Sequence, residues 1–188
     1  MATNADNVLV ALTGAALYAP LGTTLPTDTT TAWNAAFVDL GYLSEDGVTE
    51  TPEDETTEIA AWQNGDVARS LITRSAIRFG FTMIETTAGG LALYHGGSVT
   101  GTDPSGIGEA SIELAGTPND RFAFGLDVID GDNDVRITIP NASIVERGEI
   151  TYVNNDAIGY PVTIQANPGV GGVRAIKYFN ALAGLPTS

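Results

Sequence analysis

Residues 75–85 read Ser-Ala-Ile-Arg-Phe-Gly-Phe-Thr-Met-Ile-Glu, with apolar side chains at alternate positions. The apolar series is Ile77, Phe79, Phe81 and Met83, and Arg78, Gly80 and Thr82 lie between its members. Side chains of a β-strand alternate between its two faces, so this spacing predicts a strand with one face buried in a core.

Four more segments show the same period of two: residues 122–128, 135–139, 158–164 and 173–179. In the first two, we expect Gly125, Arg136 and Thr138 to face away from the core, because the residues on either side of them are apolar. Turn-forming residues separate the strands, at residues 63–66, 89–90, 96–97, 130–133, 154–156 and 167–169. Regularly spaced strands and turns predict a mainly β protein, an antiparallel β-sandwich or barrel.

One segment instead has a helical period. Trp33, Ala36, Phe37 and Leu40 are spaced i, i+3, i+4 and i+7. A threonine at residues 29–31 can cap the start of a helix here, and Gly41 can end it. The pattern predicts a single short α-helix that flanks the sheet and packs its Trp33 and Phe37 side chains against it.

Residues 1–31 are predicted to form an extended N-terminal arm, because Pro20, Gly22 and Pro26 disfavour regular structure. Residues 32–188 then form a single β-sandwich domain. The apolar part of the arm needs a surface to lie on, which leaves two interpretations: a first strand on the protein's own sheet, or an arm that docks on a neighbouring copy. No Lys or Arg precedes this apolar part, so we do not expect a secretory signal.

The charge balance excludes several classes of function. The chain has 8 basic and 23 acidic residues, a formal net charge of −15. Phosphate repels a chain this acidic, which argues against specific nucleic-acid binding and against docking on an anionic membrane. The absence of cysteine excludes disulfides and thiolate metal sites, and a single histidine, His95, excludes motifs that need two.

The candidate chemical motifs are all incomplete. Asp130-Gly-Asp-Asn-Asp134 resembles the start of a calcium-binding loop, but Val135 and Asn141 stand where an EF-hand needs Gly and Glu, so a hairpin turn is favoured. The residues after His95 lack the final glycine of a nucleophile elbow. These observations predict a non-enzyme without metal or cofactor, and a dispersed triad that uses His95 is the remaining enzymatic alternative.

Charge is also unevenly distributed along the chain. Residues 39–58 contain eight acidic residues and no basic one, and Arg69, Arg74 and Arg78 follow within residues 69–78. We interpret these segments as an acidic loop and a basic strand, complementary within the subunit or between copies. The alternative is a solvated loop with scattered surface arginines.

Several segments are similar to those of one known family. They are Ala19–Glu50, which includes Trp33-Asn-Ala-Ala-Phe-Val-Asp-Leu-Gly41; Glu58-Ile-Ala-Ala-Trp-Gln-Asn-Gly-Asp-Val-Ala-Arg69; Phe79-Gly-Phe-Thr-Met-Ile-Glu-Thr86; and Gly159-Tyr-Pro-Val-Thr-Ile164, which follows Arg147-Gly-Glu149. In this order and spacing, the chain resembles the major tail proteins of long-tailed bacteriophages that infect actinobacteria. The resemblance extends from about residue 17 to residue 180.

The resemblance implies a fold, an assembly and a set of partners. The fold is a pair of packed antiparallel sheets with a flanking helix. Six copies form a ring, and rings stack into the hollow tail tube through which genomic DNA passes. The implied partners are other copies of the chain and the tape-measure, tail terminator and distal tail proteins. The subunit is implied to reside in the virion tail, and in the host cytoplasm before assembly. Some members carry a C-terminal immunoglobulin-like domain, which we do not expect in these 188 residues.

Within that assembly, we expect the N-terminal arm and the acidic segment to contact the next ring, because arms and polar loops are what a compact sandwich leaves free. The residues predicted for this contact are Thr49, Glu50, Thr51, Pro52, Glu53, Asp54, Glu55 and Glu58. Arg69, Arg74 and Arg78 are predicted to form a basic strand between subunits. The alternative function is a capsid decoration protein or another acidic β-sandwich module of a virion or adhesin.

Overall fold

The computed structural model describes residues 7–62, 64–97, 99–101, 108–114 and 121–180. Within them the chain forms ten β-strands and one α-helix. The strands are β1 (Thr13–Pro20), β2 (Val38–Asp39), β3 (Leu43–Ala60), β4 (Val67–Met83), β5 (Val99–Gly101), β6 (Ala110–Ile112), β7 (Phe122–Asp130), β8 (Asn133–Arg147), β9 (Tyr160–Ala166) and β10 (Ile176–Phe179). The helix is α1 (Ala88–His95).

Eight strands form one antiparallel sheet in the order β2-β1-β7-β8-β9-β4-β3, with β10 paired to β8 beside that path. Residues 135–138 of β8 lie between β7 and β10, whereas residues 142–147 pair with β9. The sheet therefore folds over at β8 into two layers. Phe81 on β4 and Phe124 on β7, which have two strands between them in the sheet order, stack with their ring centroids 5.6 Å apart. The predicted mainly β, antiparallel sandwich with one helix is confirmed.

The core contains the residues that the period of two selects. Phe79, Phe81 and Met83 are buried on β4, and Phe122, Phe124 and Leu126 are buried on β7. On β9 the buried residues are Tyr160, Val162 and Ile164. The turn predicted at residues 130–133 is present and joins β7 to β8. Asp130 pairs with Asn133, and Gly131 has a φ of 63°, which glycine adopts without strain. The segment that resembles the start of a calcium-binding loop is therefore a hairpin turn, as favoured above.

Part of the predicted arm is a strand of the sheet. Residues Thr13–Pro20 form β1, which pairs along its whole length with β7 and places Ala16 and Leu17 in the buried part of the molecule. For residues 13–20 the structure has the first interpretation, a strand on the protein's own sheet. Val8, Val10 and Leu12 precede this strand and are exposed, so docking of that part on a neighbouring copy stays a prediction. Residues 21–37 then cross the surface to β2, which pairs with β1 at two positions.

The predicted helix at Trp33–Leu40 is wrong. Val38 and Asp39 form a strand, and the Asn34 side chain accepts a hydrogen bond from the Ala36 backbone at 3.0 Å. Such a local bond offers the backbone an alternative to a helical turn. Trp33 and Phe37 do pack together, with ring centroids 4.7 Å apart, so the apolar spacing was a true signal of packing. It reflects two side chains lying on a sheet rather than one face of a helix.

The helix lies instead at residues 88–95, which include the turn predicted at Gly89-Gly90. Thr87 caps it by accepting a hydrogen bond from the Gly90 backbone, and Gly96 ends it in a left-handed conformation. Gly89 disfavours a helix by propensity, yet an added Cβ there would lie 2.7 Å from Val38 Cγ1. The glycine therefore allows α1 to pack closely against β2.

Candidate assembly surfaces

The longest strands extend well beyond the body of the molecule. β3 and β4 pair from Leu43 and Met83 to Ala60 and Val67, but β9 pairs with β4 only at residues 77–83. Residues 53–76, the projecting hairpin, therefore form a two-stranded ribbon. Among the described residues, no further strand pairs with either of its edges. Its turn is the predicted one, with Asn64 and Gly65 at φ values of 64° and 69°.

Apolar side chains are exposed on this ribbon. Trp62, next to the turn, is 97% exposed, and Ile59, Val67 and Ile72 are also open to solvent. Exposure of large apolar side chains to water is unfavourable in free energy, and a group of them on a projecting edge indicates an interaction surface. Acidic residues accompany them, so the surface is both apolar and negatively charged.

The acidic segment predicted to be a loop is a strand. All eight residues predicted for inter-ring contact lie on β3, where Thr49, Thr51 and Thr56 are β-branched and favour extended backbone. Pro52 fits a strand at a sheet edge, because it has no N–H to donate to a second neighbour. Charge alone suggested a loop, but the acidic side chains are exposed on an edge strand, where they need no core.

The predicted contact residues divide between body and hairpin. Thr49–Pro52 lie opposite β4 residues 77–80, where β4 is also paired with β9. Lys177 Nζ of β10 lies 2.5 Å from Glu50 Oε2, so this ion pair joins the edges of the two layers. Glu53, Asp54, Glu55 and Glu58 lie on the projecting hairpin. Contact with another ring stays a prediction for both groups.

The predicted basic residues lie on β4 and face the acidic strand. Arg78 Nη2 is 3.1 Å from Glu53 Oε2, and Arg74 Nη1 is 3.4 Å from Glu55 Oε1. The complementarity between the two segments is therefore present within the subunit. Among the described residues, Arg69 has no ion-pair partner in its own chain. Whether the three arginines also contact a neighbouring subunit stays a prediction.

A second polar cluster lies on the face of β7 and β8 opposite the core. The strap, residues 28–33, crosses this face, and Arg136 donates to Asp28 O at 3.0 Å and to Thr31 O at 2.6 Å. Arg136 also binds both carboxylate oxygens of Asp127, at 2.6 and 3.1 Å. The Trp33 indole N–H donates to Asp127 at 2.7 Å, and its ring lies 4.8 Å from the Arg136 guanidinium carbon.

Arg136 and Thr138 face away from the core, as the alternation predicts, but the strap covers the face on which they lie. Arg136 is 9% exposed and Thr138 is fully buried, because residues before β2 cover that face of the sheet. Gly125 belongs to the same face, and an added Cβ there would lie 2.2 Å from Trp33 Cη2. The period of two identified the core face correctly, but it could not show that the other face is covered as well.

The strap is also held by an acidic turn. Hydrogen bonds from Thr31 and Thr30 lower the pKa of Asp28 to about 2. The backbone N–H groups of these two residues approach Asp28 Oδ1 at 2.5 and 2.8 Å. The threonines expected to cap a helix therefore bind a carboxylate that precedes them.

His95 ends α1, with its ring against the edge of Tyr94. Ser98, considered with it as a nucleophile, lies outside the described residues. Across the described ranges, no three His, Cys, Asp or Glu side chains are placed to hold a metal ion. None of the helical structure in those ranges has the length and apolar character to cross a membrane.

The family model for "Phage tail tube protein" matches residues 1–179 of the chain. This span includes the sheet, the projecting hairpin and the strap. A search of curated proteins gave no match.

Proposed function

The chain belongs to the phage tail tube protein family, and from that premise we propose that six copies form a ring and that rings stack into a tube through which genomic DNA passes. Family membership implies a structural, non-enzymatic protein of the virion tail that assembles with copies of itself. The ring size, the stacking and the passage of DNA are the content of the proposal.

The projecting hairpin is the observation that carries the proposal. A two-stranded ribbon is marginally stable in water, and its unpaired edges invite pairing with another chain. A monomeric protein blunts such edges, whereas this one exposes Trp62, Ile72 and Val67 beside them. We infer that the ribbon is completed by other copies, and that closing a ring of copies removes the free edge of β3.

The charge supports passage of DNA without retention. A lumen lined by carboxylates repels phosphate, whereas arginines there would bind it. In this chain, two arginines of β4, Arg74 and Arg78, are neutralised by Glu55 and Glu53 of the same subunit. A ring of six would carry six times the −15 of one chain, so apolar and backbone contacts must offset the repulsion. We therefore expect added salt to favour assembly, because salt screens charge.

We assign the contact between rings to the hairpin part of β3, with Glu53, Asp54, Glu55 and Glu58 as its acidic residues. Arg69, which has no ion-pair partner among the described residues of its own chain, is the arginine best placed to meet a carboxylate of another copy. Tape-measure, tail terminator and distal tail proteins are the other proposed partners. Before assembly the subunit is proposed to reside in the host cytoplasm.

The test removes the hairpin without disturbing the body. Glu53 and Ala76 are paired neighbours, so residues 54–75 can be replaced by Asn-Gly, a two-residue hairpin turn. We expect this variant to retain the circular dichroism and cooperative unfolding of the wild type. Negative-stain micrographs should show hollow filaments for the concentrated wild type, alone or with the other tail proteins of its virion, and none for the variant.

A matched control changes the turn and keeps the ribbon. Replacement of Asn64-Gly65 by Asp-Gly leaves the turn type and the strands intact, so it should assemble like the wild type. Filaments of normal length from the shortened variant would contradict the assignment of stacking to the hairpin. A wild-type chain that stays monomeric under all these conditions would contradict the tube itself.

A further inference from the structure

A groove opens on the surface of the body, between the end of β1, β2, α1 and the ends of β7 and β8. Its cavity volume is about 630 Å³, which exceeds the volume of a tryptophan side chain. Tyr18, Val38, Phe122 and Ile144 form an apolar lining, and Arg121 and Arg147 lie beside them. Two of the chain's eight basic residues thus lie at one apolar groove in a strongly acidic protein.

The tip of the projecting hairpin has the complementary chemistry. Trp62 is 97% exposed, the most exposed aromatic side chain among the described residues. Glu58 and Asp66 flank it, and no basic residue lies between them. An indole combines a large apolar surface with a ring face that attracts a guanidinium, so an apolar groove with arginines at its rim suits it.

The tip cannot reach the groove of its own chain. Ile144 and Arg147 in the groove wall pair with Ile164 and Val162 of β9, which pair in turn with Phe79 and Phe81 of β4. The turn at residues 64–65 lies 14 or more positions away from Phe79 along β4. At about 3.3 Å per residue, this places it roughly 45 Å from the level of the groove.

We propose that the groove of one copy receives Trp62 from the hairpin tip of a second copy, with Glu58 or Asp66 facing Arg121. This inference rests on the proposed function and names the acceptor for the hairpin. Tip and groove are different surfaces of one chain, so the contact is head-to-tail. Repetition of a contact of this type gives an open polymer unless it closes into a ring.

The test uses the fact that the chain contains no cysteine. One copy carries Ala61→Cys beside the tip, with Trp62 retained, and a differently tagged copy carries Ala36→Cys at the rim of the groove. After assembly of the mixture, a short bismaleimide linker should join the two tags in one band. The matched control pairs Ala61→Cys with Asp132→Cys, which is exposed in the turn between β7 and β8, ten positions along the chain from Phe122 of the groove, and should give little product.

A second measurement removes the indole. Trp62→Ser should raise the concentration needed for filaments at least about tenfold, as expected for loss of a buried aromatic side chain, and Val170→Ser should leave it unchanged. Filaments from Trp62→Ser at the wild-type concentration would overturn the proposal, as would cross-linking no greater than in the control. If either result is obtained while the wild-type chain still forms tubes, only the proposed docking of Trp62 fails, and the proposed tube function is unaffected. If the wild-type chain forms no tubes, the proposed tube function itself is contradicted. Efficient linkage of Ala36→Cys to Ser188→Cys within single copies would assign the groove to the chain's own C terminus and overturn the proposal.

Discussion

The face of β7 and β8 beneath the strap and the projecting hairpin both pair arginine with carboxylate across neighbouring strands, but the surroundings differ. Arg136 and Asp127 have side chains 10% and 20% exposed, and they bind Trp33 and two backbone carbonyls as well as each other. Arg74 and Glu55 are 54% and 66% exposed and make one contact. The first pair fixes the shape of the subunit. The second keeps an exposed surface soluble until another copy covers it.

The largest effect should come from breaking the buried pair. Asp127→Ala leaves the Arg136 guanidinium buried without its carboxylate and removes the acceptor for the Trp33 indole. We expect the free energy of unfolding to fall by about 3 kcal/mol, the usual cost of leaving a buried charge unpaired. Urea denaturation followed by circular dichroism measures it. A loss below about 1 kcal/mol would mean that the strap does not hold the sheet.

The next effect concerns the close approach of the strap to β7. Gly125→Ala places a methyl group where the Trp33 ring lies, so the strap must shift, at a cost of about 2 kcal/mol. Gly80→Ala is the matched control, because Gly80 is also inside a strand and its added Cβ would have no neighbour closer than 3.9 Å. Equal melting temperatures for the two variants would contradict the packing of Trp33 on Gly125.

A smaller effect should depend on pH. The pKa of Asp28 is lowered to about 2, so the fold favours its carboxylate. The resulting stability is present above the ordinary value near 4 and is lost as the pH falls from there towards 2. Asp28→Asn cannot titrate, so the difference in unfolding free energy between wild type and variant should shrink over this range. A constant difference between pH 5 and pH 2 would contradict the role of Asp28 in the strap.

The smallest effect should come from the exposed pair. Glu55→Ala removes the partner of Arg74, and we expect a change of less than about 0.5 kcal/mol in the free energy of unfolding, because solvent screens exposed ion pairs. The same variant tests the hairpin as an assembly surface, since filament formation can change while monomer stability does not. A destabilisation comparable to that of Asp127→Ala would remove the distinction between the two regions.

The sequence predicted the features that are determined within a single strand or turn. The alternation from Ile77 to Met83 identified the buried face of β4, and Asn64-Gly65 identified its turn. It failed where distant residues decide the outcome. Trp33 bonds to Asp127, 94 positions away, and packs with Phe37 outside any helix, although the local spacing predicts one. Gly89 and Gly90 predict a turn where α1 forms, because helix propensity does not include the close packing against Val38 that requires a glycine.

The candidate surfaces were predicted in part. The acidic segment and the arginines of β4 were singled out by charge, and the structure brings them together. Trp62 was included in the family resemblance, but its exposure depends on how far β4 continues beyond β9. No local pattern gives that length, because residues 67–76 read Val-Ala-Arg-Ser-Leu-Ile-Thr-Arg-Ser-Ala and do not continue the alternation of residues 77–83.

The continuation of β4 beyond β9 also has a mechanical consequence. A ribbon two strands thick bends and twists more easily than the packed layers behind it. If successive rings are joined through such ribbons, curvature of a long tail is absorbed at the joints while the rigid bodies keep the bore open. We expect a tail of this kind to bend without narrowing of its central channel.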